Sequence, residues 1–164
     1  TTETENKITL DASGNAAAGD QSTENKTAEP STLDELFGGE NLSVTYTGAE
    51  IAANYMEGGY YSLDAEQGKT FVIVGIDITN SGADEIAIDN FAKTPKFSVM
   101  VNGQEKAEEE NTILPSDFAL YQETVPAGVT ENTILLFQVP DSVTSVDSLD
   151  LFVNISGTNY QITL

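Results

Sequence analysis

The sequence predicts an all-β fold: an immunoglobulin-like antiparallel β-sandwich of about seven or eight strands, preceded by a disordered N-terminal tether. Three observations predict it. Apolar residues recur at every second position through several short segments, the period of a half-buried strand. Turn signals divide those segments: Asn102-Gly103, Pro126-Ala127-Gly128 and Ser156-Gly157. No helical pattern is long enough to cross over between parallel strands.

Residues 1–31 read TTETENKITLDASGNAAAGDQSTENKTAEPS, with Ile8 and Leu10 as the large apolar groups and no aromatic residue. Such a stretch cannot bury enough surface to offset the entropy of ordering it, so 1–31 is expected to be a flexible tether and 32–164 the folded domain. Six acids against two lysines give the tether a charge of −4, leaving −17 for the rest (21 acids, 4 lysines). The chain starts with Thr1 rather than Met, so it is expected to be a processed product whose targeting signal has been removed.

In STLDELFGGE, Ser31 or Thr32 is a helix N-cap, Glu35 stands in capping-box position and Gly38 is a stop. This predicts one helical turn with Leu33, Leu36 and Phe37 on the domain edge. NLSVTYTG then places Leu42, Val44 and Tyr46 on one strand face. Asn54 to Gly68, NYMEGGYYSLDAEQG, is read as a long connection carrying Tyr55, Tyr60 and Tyr61 around Gly58-Gly59. GKTFVIVGIDITN is the central strand. Val72, Val74, Ile76 and Ile78 share a core face, and the opposite face starts apolar at Phe71 and Ile73 and meets water by Asp77.

DEIAIDN supplies a short strand about Ile86 and Ile88. KFSVMVNGQEK is a hairpin about Asn102-Gly103, and the acidic run EKAEEEN after it is expected to be a solvated loop. FALYQETV is read as a strand, Pro126-Ala127-Gly128 as a turn, and the next segment as a strand with Leu135, Phe137 and Val139 inward. Pro140 ends that strand because it has no N–H for a ladder. LDLFVNISGTNYQITL closes the chain as a hairpin about Ser156-Gly157.

Composition bounds the function. There are 27 acidic residues, 6 lysines and no arginine, for a net charge of −21. That charge repels phosphate backbones and anionic headgroups, so no nucleic-acid partner is expected. His, Cys and Trp are absent. Ser-His and Cys-His nucleophilic sites are therefore excluded, as are metal sites built from imidazole or thiolate. A carboxylate-pair hydrolase survives by composition, but 27 carboxylates single out no pair at the required spacing of about 5–9 Å, and no enzyme is expected.

Taken in order, GKTFVIVGIDITNSGADEIAI, FSVMVNGQEK and VPAGVTENTILLFQVPDS resemble a family of bacterial lipoprotein-attached immunoglobulin-like domains of unknown function. That family is akin to the secreted immunoprotective extracellular antigen fold. The matching positions are Lys69 to Asn80, Asn102-Gly103, and Pro126 to Gly128 through Phe137, Val139 and Pro140, within Leu42 to Leu164. The resemblance implies an extracellular or cell-surface setting, with membrane attachment only through an N-terminal lipid that this chain lacks. It brings no catalytic residues.

Two sets of site residues remain as expectations. Tyr55, Tyr60 and Tyr61 offer flat apolar faces with hydroxyls, suited to stacking on a cell-envelope protein or glycan; alternatively their rings close the end of the sandwich. Asn80 and Asp84 in the turn NSGAD are the least poor Ca²⁺ ligands of an alternative, calcium-stabilised adhesion module, against a plain solvated acidic turn. No cofactor other than Ca²⁺ is expected.

Overall fold

The structure, a computed structural model, describes residues 28–164. The tether assigned to 1–31 therefore lies outside the described residues up to position 27. Its last residues depart from the expectation. Glu29–Ser31 form strand β1, parallel to the final strand of the chain, with Ser31 opposite Ile162. The Thr163 N–H donates to the Ser31 carbonyl at 2.9 Å. A free sheet edge supplies the backbone partners that this polar segment cannot supply for itself.

Helix α1 (Leu33–Phe37) is the expected single turn. The Glu35 N–H donates to Thr32 Oγ1 at 3.1 Å, and Gly38 follows as the C-cap. The Glu35 carboxylate accepts from the Ser31 hydroxyl at 2.9 Å, which ties β1 to the helix. Next come β2 (Leu42–Ala52), β3 (Asn54–Glu57), β4 (Tyr61–Asp64), β5 (Lys69–Asn80), β6 (Ile86–Ala87), β7 (Lys96–Val101) and β8 (Glu105–Glu108). Strands β9 (Thr124–Val125), β10 (Thr130–Pro140), β11 (Leu149–Ile155) and β12 (Thr158–Ile162) complete the chain.

Two main sheets of five strands (β1-β12-β11-β7-β8) and three strands (β10-β5-β2) face each other. This is the predicted β-sandwich. Val72, Val74, Ile76 and Ile78 of β5, with Leu135, Phe137 and Val139 of β10, pack against Phe97, Val99, Leu151 and Val153 of the facing sheet. Helix α1 closes one end through a ring cluster: Phe37 lies 4.9 Å from Phe118 and 5.8 Å from Phe97 between centroids.

The other face of β5 also behaves as its sequence predicts. Phe71 and Ile73 form a second cluster with Leu114 and Leu136, onto which Tyr55 and Leu63 pack. Beyond Gly75 that face turns polar, and Asp77 accepts from Asn132 Nδ2 at 2.7 Å.

Three local expectations are corrected. The connection Asn54 to Gly68 is a β-ribbon, β3 paired antiparallel with β4, because Tyr55 and Leu63 stand opposite each other and share the second cluster. Gly58 and Gly59, at φ of +60° and +73°, supply its left-handed turn. The acidic run is not a solvated loop. Glu105–Glu108 form an edge strand on β7, with Ala107 turned inward and Lys106 and Glu108 outward, which suits a sheet edge. FALYQETV is a 3₁₀ turn, Phe118–Leu120, followed by the two-residue β9; Asp117 Oδ1 accepts the Ala119 N–H at 3.0 Å and winds the chain there.

Candidate functional site

The ribbon separates the three tyrosines that the sequence singles out. Tyr55 is half-buried on the second cluster, where burial pushes its phenol above the usual range. Its hydroxyl donates to Glu57 Oε2 at 3.3 Å and lies 3.4 Å from Ser116 Oγ. Tyr55 is thus an anchor that holds the ribbon on the outer face of β5. Tyr60 sits in the ribbon turn, 93 % exposed, and Tyr61 opposite Glu57 is 38 % exposed. Met56, which the sequence reading passed over, adds a third exposed apolar side chain at 64 %.

The exposed tip is held from below. Glu57 accepts the Ser116 N–H at 3.2 Å through Oε1 and the Ser116 hydroxyl through Oε2. At the base, the Ala65 N–H donates to the Ala53 carbonyl at 2.9 Å and the Glu66 N–H to Gln138 Oε1 at 2.7 Å. The ribbon therefore presents its tip from a fixed base, despite lying outside both main sheets.

Asn80 and Asp84 do meet, but not as a pair of side-chain ligands. Asn80 is fully buried, and its Nδ2 donates to the Asp84 carbonyl at 2.8 Å and the Val125 carbonyl at 3.0 Å. Its Oδ1 accepts the Gly82 N–H at 2.8 Å. The carboxamide is consumed in shaping the turn, while the Asp84 residue is exposed. Among the described residues no group of three or more acidic side chains is placed to hold a metal ion.

A carboxyl pair went unnoticed in the sequence. Asp117 is 3 % exposed, with Oδ2 accepting from the Thr112 hydroxyl at 2.6 Å and Oδ1 from the Ala119 N–H. Glu109 faces it. Burial, and then the charge and hydrogen bonding of Asp117, push the Glu109 carboxyl up to about 9. Glu109 is therefore a neutral acid at pH 7. No spacing rule would find this pair, because the chain between the two residues folds back on itself to join them.

The outer face of the five-stranded sheet carries a hollow of about 1000 Å³, where Lys96, Ser98 and Met100 of β7 meet Lys106 of β8 and Phe152 and Asn154 of β11. No buried side-chain nitrogen or oxygen among the described residues lacks a hydrogen-bond partner, so nothing buried in that hollow reaches out for a ligand.

No protein-family model and no curated protein matches the chain. Among solved structures it is similar to an uncharacterised β-sandwich protein of Clostridium difficile 630, at 18 % identity and a TM-score of 0.46, over 76 % of this chain and 85 % of that one. It is similar to the yjhA protein of Bacillus subtilis at 16 % identity and a TM-score of 0.42, over 76 % and 92 %. A candidate lipoprotein of the same species follows at 11 % identity and a TM-score of 0.39, over 75 % of this chain and 36 % of that one. The likeness is one of β-sandwich architecture, and any function rests on this chain's own residues.

Proposed function

We propose that the chain is a non-enzymatic binding module of the bacterial cell envelope, which engages an envelope protein or glycan through the tip of the β3–β4 ribbon. One observation carries the reading: Tyr60, Tyr61 and Met56 are exposed on a ribbon whose base is pinned by Glu57, Ser116 and Tyr55. Large apolar side chains left in water forgo about 1.5–3 kcal/mol each of burial free energy, which a partner can recover. A fixed base reduces the ordering cost of binding, and exposed aromatics are the usual anchors of such contacts.

The envelope setting is supported by the order of the strand motifs and by the resemblance they carry. The non-enzymatic reading is supported by the absence of His and Cys, which leaves no imidazole or thiol for nucleophilic catalysis. The calcium-stabilised alternative finds less support, because the Asn80 side-chain oxygen is already engaged by Gly82.

Retention of the full chain on isolated bacterial cell walls and on a glycan array tests the proposal. Tyr60→Ala combined with Tyr61→Ala is expected to lower affinity about tenfold or more, the loss of at least one anchor contact, with an unchanged melting midpoint. Phe91→Ala, at an exposed ring on another element, serves as the control and is expected to bind as the parent does. Equal retention of the tyrosine double variant and the parent overturns the assignment.

A further inference from the structure

We propose that the ligand is an uncharged glycan and that its site is composite: the polar half of the outer face of the β10-β5-β2 sheet, together with the aromatic tip of the β3–β4 ribbon. This names the ligand class for the binding role proposed above and rests on that role.

Strand register lays that face out in rows. Gln138, Phe71 and Ala52 stand side by side across β10, β5 and β2, then Leu136, Ile73 and Glu50, then Ile134 and Gly75 beside the β2 bulge. The ribbon lies along these rows. Its base is tied to Gln138, and Tyr55 and Leu63 pack on Phe71, Ile73 and Leu136. At its outer end Glu57 is gripped by Ser116, whose carbonyl accepts the Ile134 N–H at 2.9 Å. The ribbon turn at Gly58 to Tyr60 therefore sits at the end facing the next two rows. These are the row of Asn132, Asp77 and Thr45 and the row of Thr130, Thr79 and Ser43. Tyr61 stands opposite Glu57 and so shares the ribbon face turned to the sheet. Between tip and rows, Gly75 has no side chain and Thr47 Oγ1 occupies the space that a Cβ would take, which adds a hydroxyl to the floor.

The chemistry of the two rows selects the ligand. Ser43, Thr45, Thr79 and Thr130 offer hydroxyls that both donate and accept, Asn132 a carboxamide, and Asp77 the one carboxylate. Thr45, Thr130 and Asn132 are exposed, and Ser43, Asp77 and Thr79 are half-buried. The side chains steady one another: Thr79 and Thr130 hydroxyls lie 2.9 Å apart, and Asn132 Nδ2 donates to Asp77 at 2.7 Å. Groups held in place before binding lower its ordering cost. In a chain of 27 acids and 6 lysines, these rows carry one acid and no lysine. An anionic polymer is repelled by the net charge of −21, and a basic protein would find here a single carboxylate already engaged by Asn132. An uncharged sugar chain suits both parts of the site. Its hydroxyls donate to and accept from the rows, and its apolar ring face stacks on Tyr60 or Tyr61.

The test passes the full chain over immobilised uncharged oligosaccharides of glucose, galactose, mannose and N-acetylglucosamine, and over bacterial cell walls before and after protease digestion. Retention is expected on at least one of the oligosaccharides and on the digested walls. Affinity for the retained sugar is expected to change less than about twofold between about 50 and 500 mM salt, since no ion pair is made. Thr45→Val combined with Thr130→Val keeps the β-branched shape and removes two hydroxyls, and is expected to lower that affinity about fivefold or more. Ser98→Val, on the outer face of the other sheet, is expected to bind as the parent does. In nuclear magnetic resonance titrations with the retained sugar, the amides of Thr45, Asp77 and Asn132 are expected to shift together with those of Gly58 to Tyr61. Shifts confined to the ribbon, or sugar binding unchanged in the double valine variant, overturn the composite site. Retention on walls that protease abolishes, with no oligosaccharide held, makes the partner a protein; the glycan inference then falls while the ribbon-tip reading stands. Absence of retention on every surface is instead the failure of the binding role itself.

Discussion

Asn80→Ala should destabilise the domain by about 3 kcal/mol, a large effect for a residue that resembles an ordinary turn asparagine. Three hydrogen bonds of 2.8–3.0 Å are removed: two from Nδ2, to the Asp84 and Val125 carbonyls, and one into Oδ1 from Gly82. Each is worth about 1 kcal/mol net, so the three together come to about 3 kcal/mol. With about 2.1 cal/mol/K of unfolding entropy per residue over the 137 described residues (164 − 27), 3 kcal/mol corresponds to a fall of about 10 °C in the melting midpoint. Urea unfolding followed by circular dichroism would give the free energy directly, with an unchanged m-value expected. Asn80→Asp sharpens the test. It keeps the acceptor for Gly82 but turns an oxygen toward two carbonyls, so it should lose at least as much at pH 7 and recover part of the loss in acid, where a protonated carboxyl donates again. A loss below about 1 kcal/mol for Asn80→Ala, or an Asn80→Asp variant stabilised by Ca²⁺, would refute the assignment of this carboxamide as a structural clip.

The remaining expectations concern stability and metal. Folding raises the Glu109 carboxyl from its ordinary 4.5 to about 9, so between those values the folded chain holds one proton more than the unfolded chain. Stability from this group is full at the acid end and falls as pH rises through the window, by at most about 1.4 kcal/mol per pH unit. Repulsion within a chain of charge −21 slopes the same way, so the difference between parent and Glu109→Gln isolates the carboxyl; parallel slopes between pH 5.5 and 8.5 would count against it. Gly75 stands opposite Gly48 at the β2 bulge, and a Cβ there runs into Thr47 Oγ1. Gly75→Ala is expected to cost about 1 kcal/mol in urea titrations, with Thr47→Ala restoring most of it in a double-mutant cycle; additive losses would locate the strain elsewhere. Melting midpoints in about 2 mM Ca²⁺, in Mg²⁺ and in EDTA are expected to coincide. A calcium-only rise of several degrees would show a ligand set that the described residues do not form.

What could be read in the sequence was what local chemistry decides. The two faces of β5 followed from strict alternation, and the Asn102-Gly103 and Ser156-Gly157 turns followed from residues that tolerate positive φ, which all four adopt. Thr32 and Glu35 announced α1 by the same logic. The misread segments are those whose partner is remote. Nothing in NYMEGGYYSLD says that Phe71, Ile73 and Leu136 leave an apolar surface for Tyr55 and Leu63 to cover, so a paired ribbon looked like a loop. Ala107 is the one apolar side chain in EKAE, and a period of two cannot be recognised from one residue; β7 supplies the ladder that makes it a strand. Phe118 looked like a strand residue because the cap from Asp117 competes with extended backbone only once Asp117 is buried.

The same limit explains why the tyrosines were proposed and the carboxyl pair was not. Exposure of Tyr60 is a property that two adjacent glycines and a turn signal predict. The state of Glu109 is not, since Glu108, Glu109 and Glu110 are three identical residues in a row. Glu108 points outward at the sheet edge, while Glu109 is half-buried beside Asp117, and the partial loss of water with the neighbouring carboxyl pushes it up. A formal charge of −21 counts all three alike, yet at pH 7 the folded chain carries about one negative charge fewer, from this one carboxyl. Composition describes the unfolded chain, in which every carboxyl has the same solvent. The fold creates the difference by carrying the backbone of Glu109 and Glu110 onto Phe97 and Leu136, so the chemistry of the pair follows from tertiary hydrogen bonds that no local motif encodes.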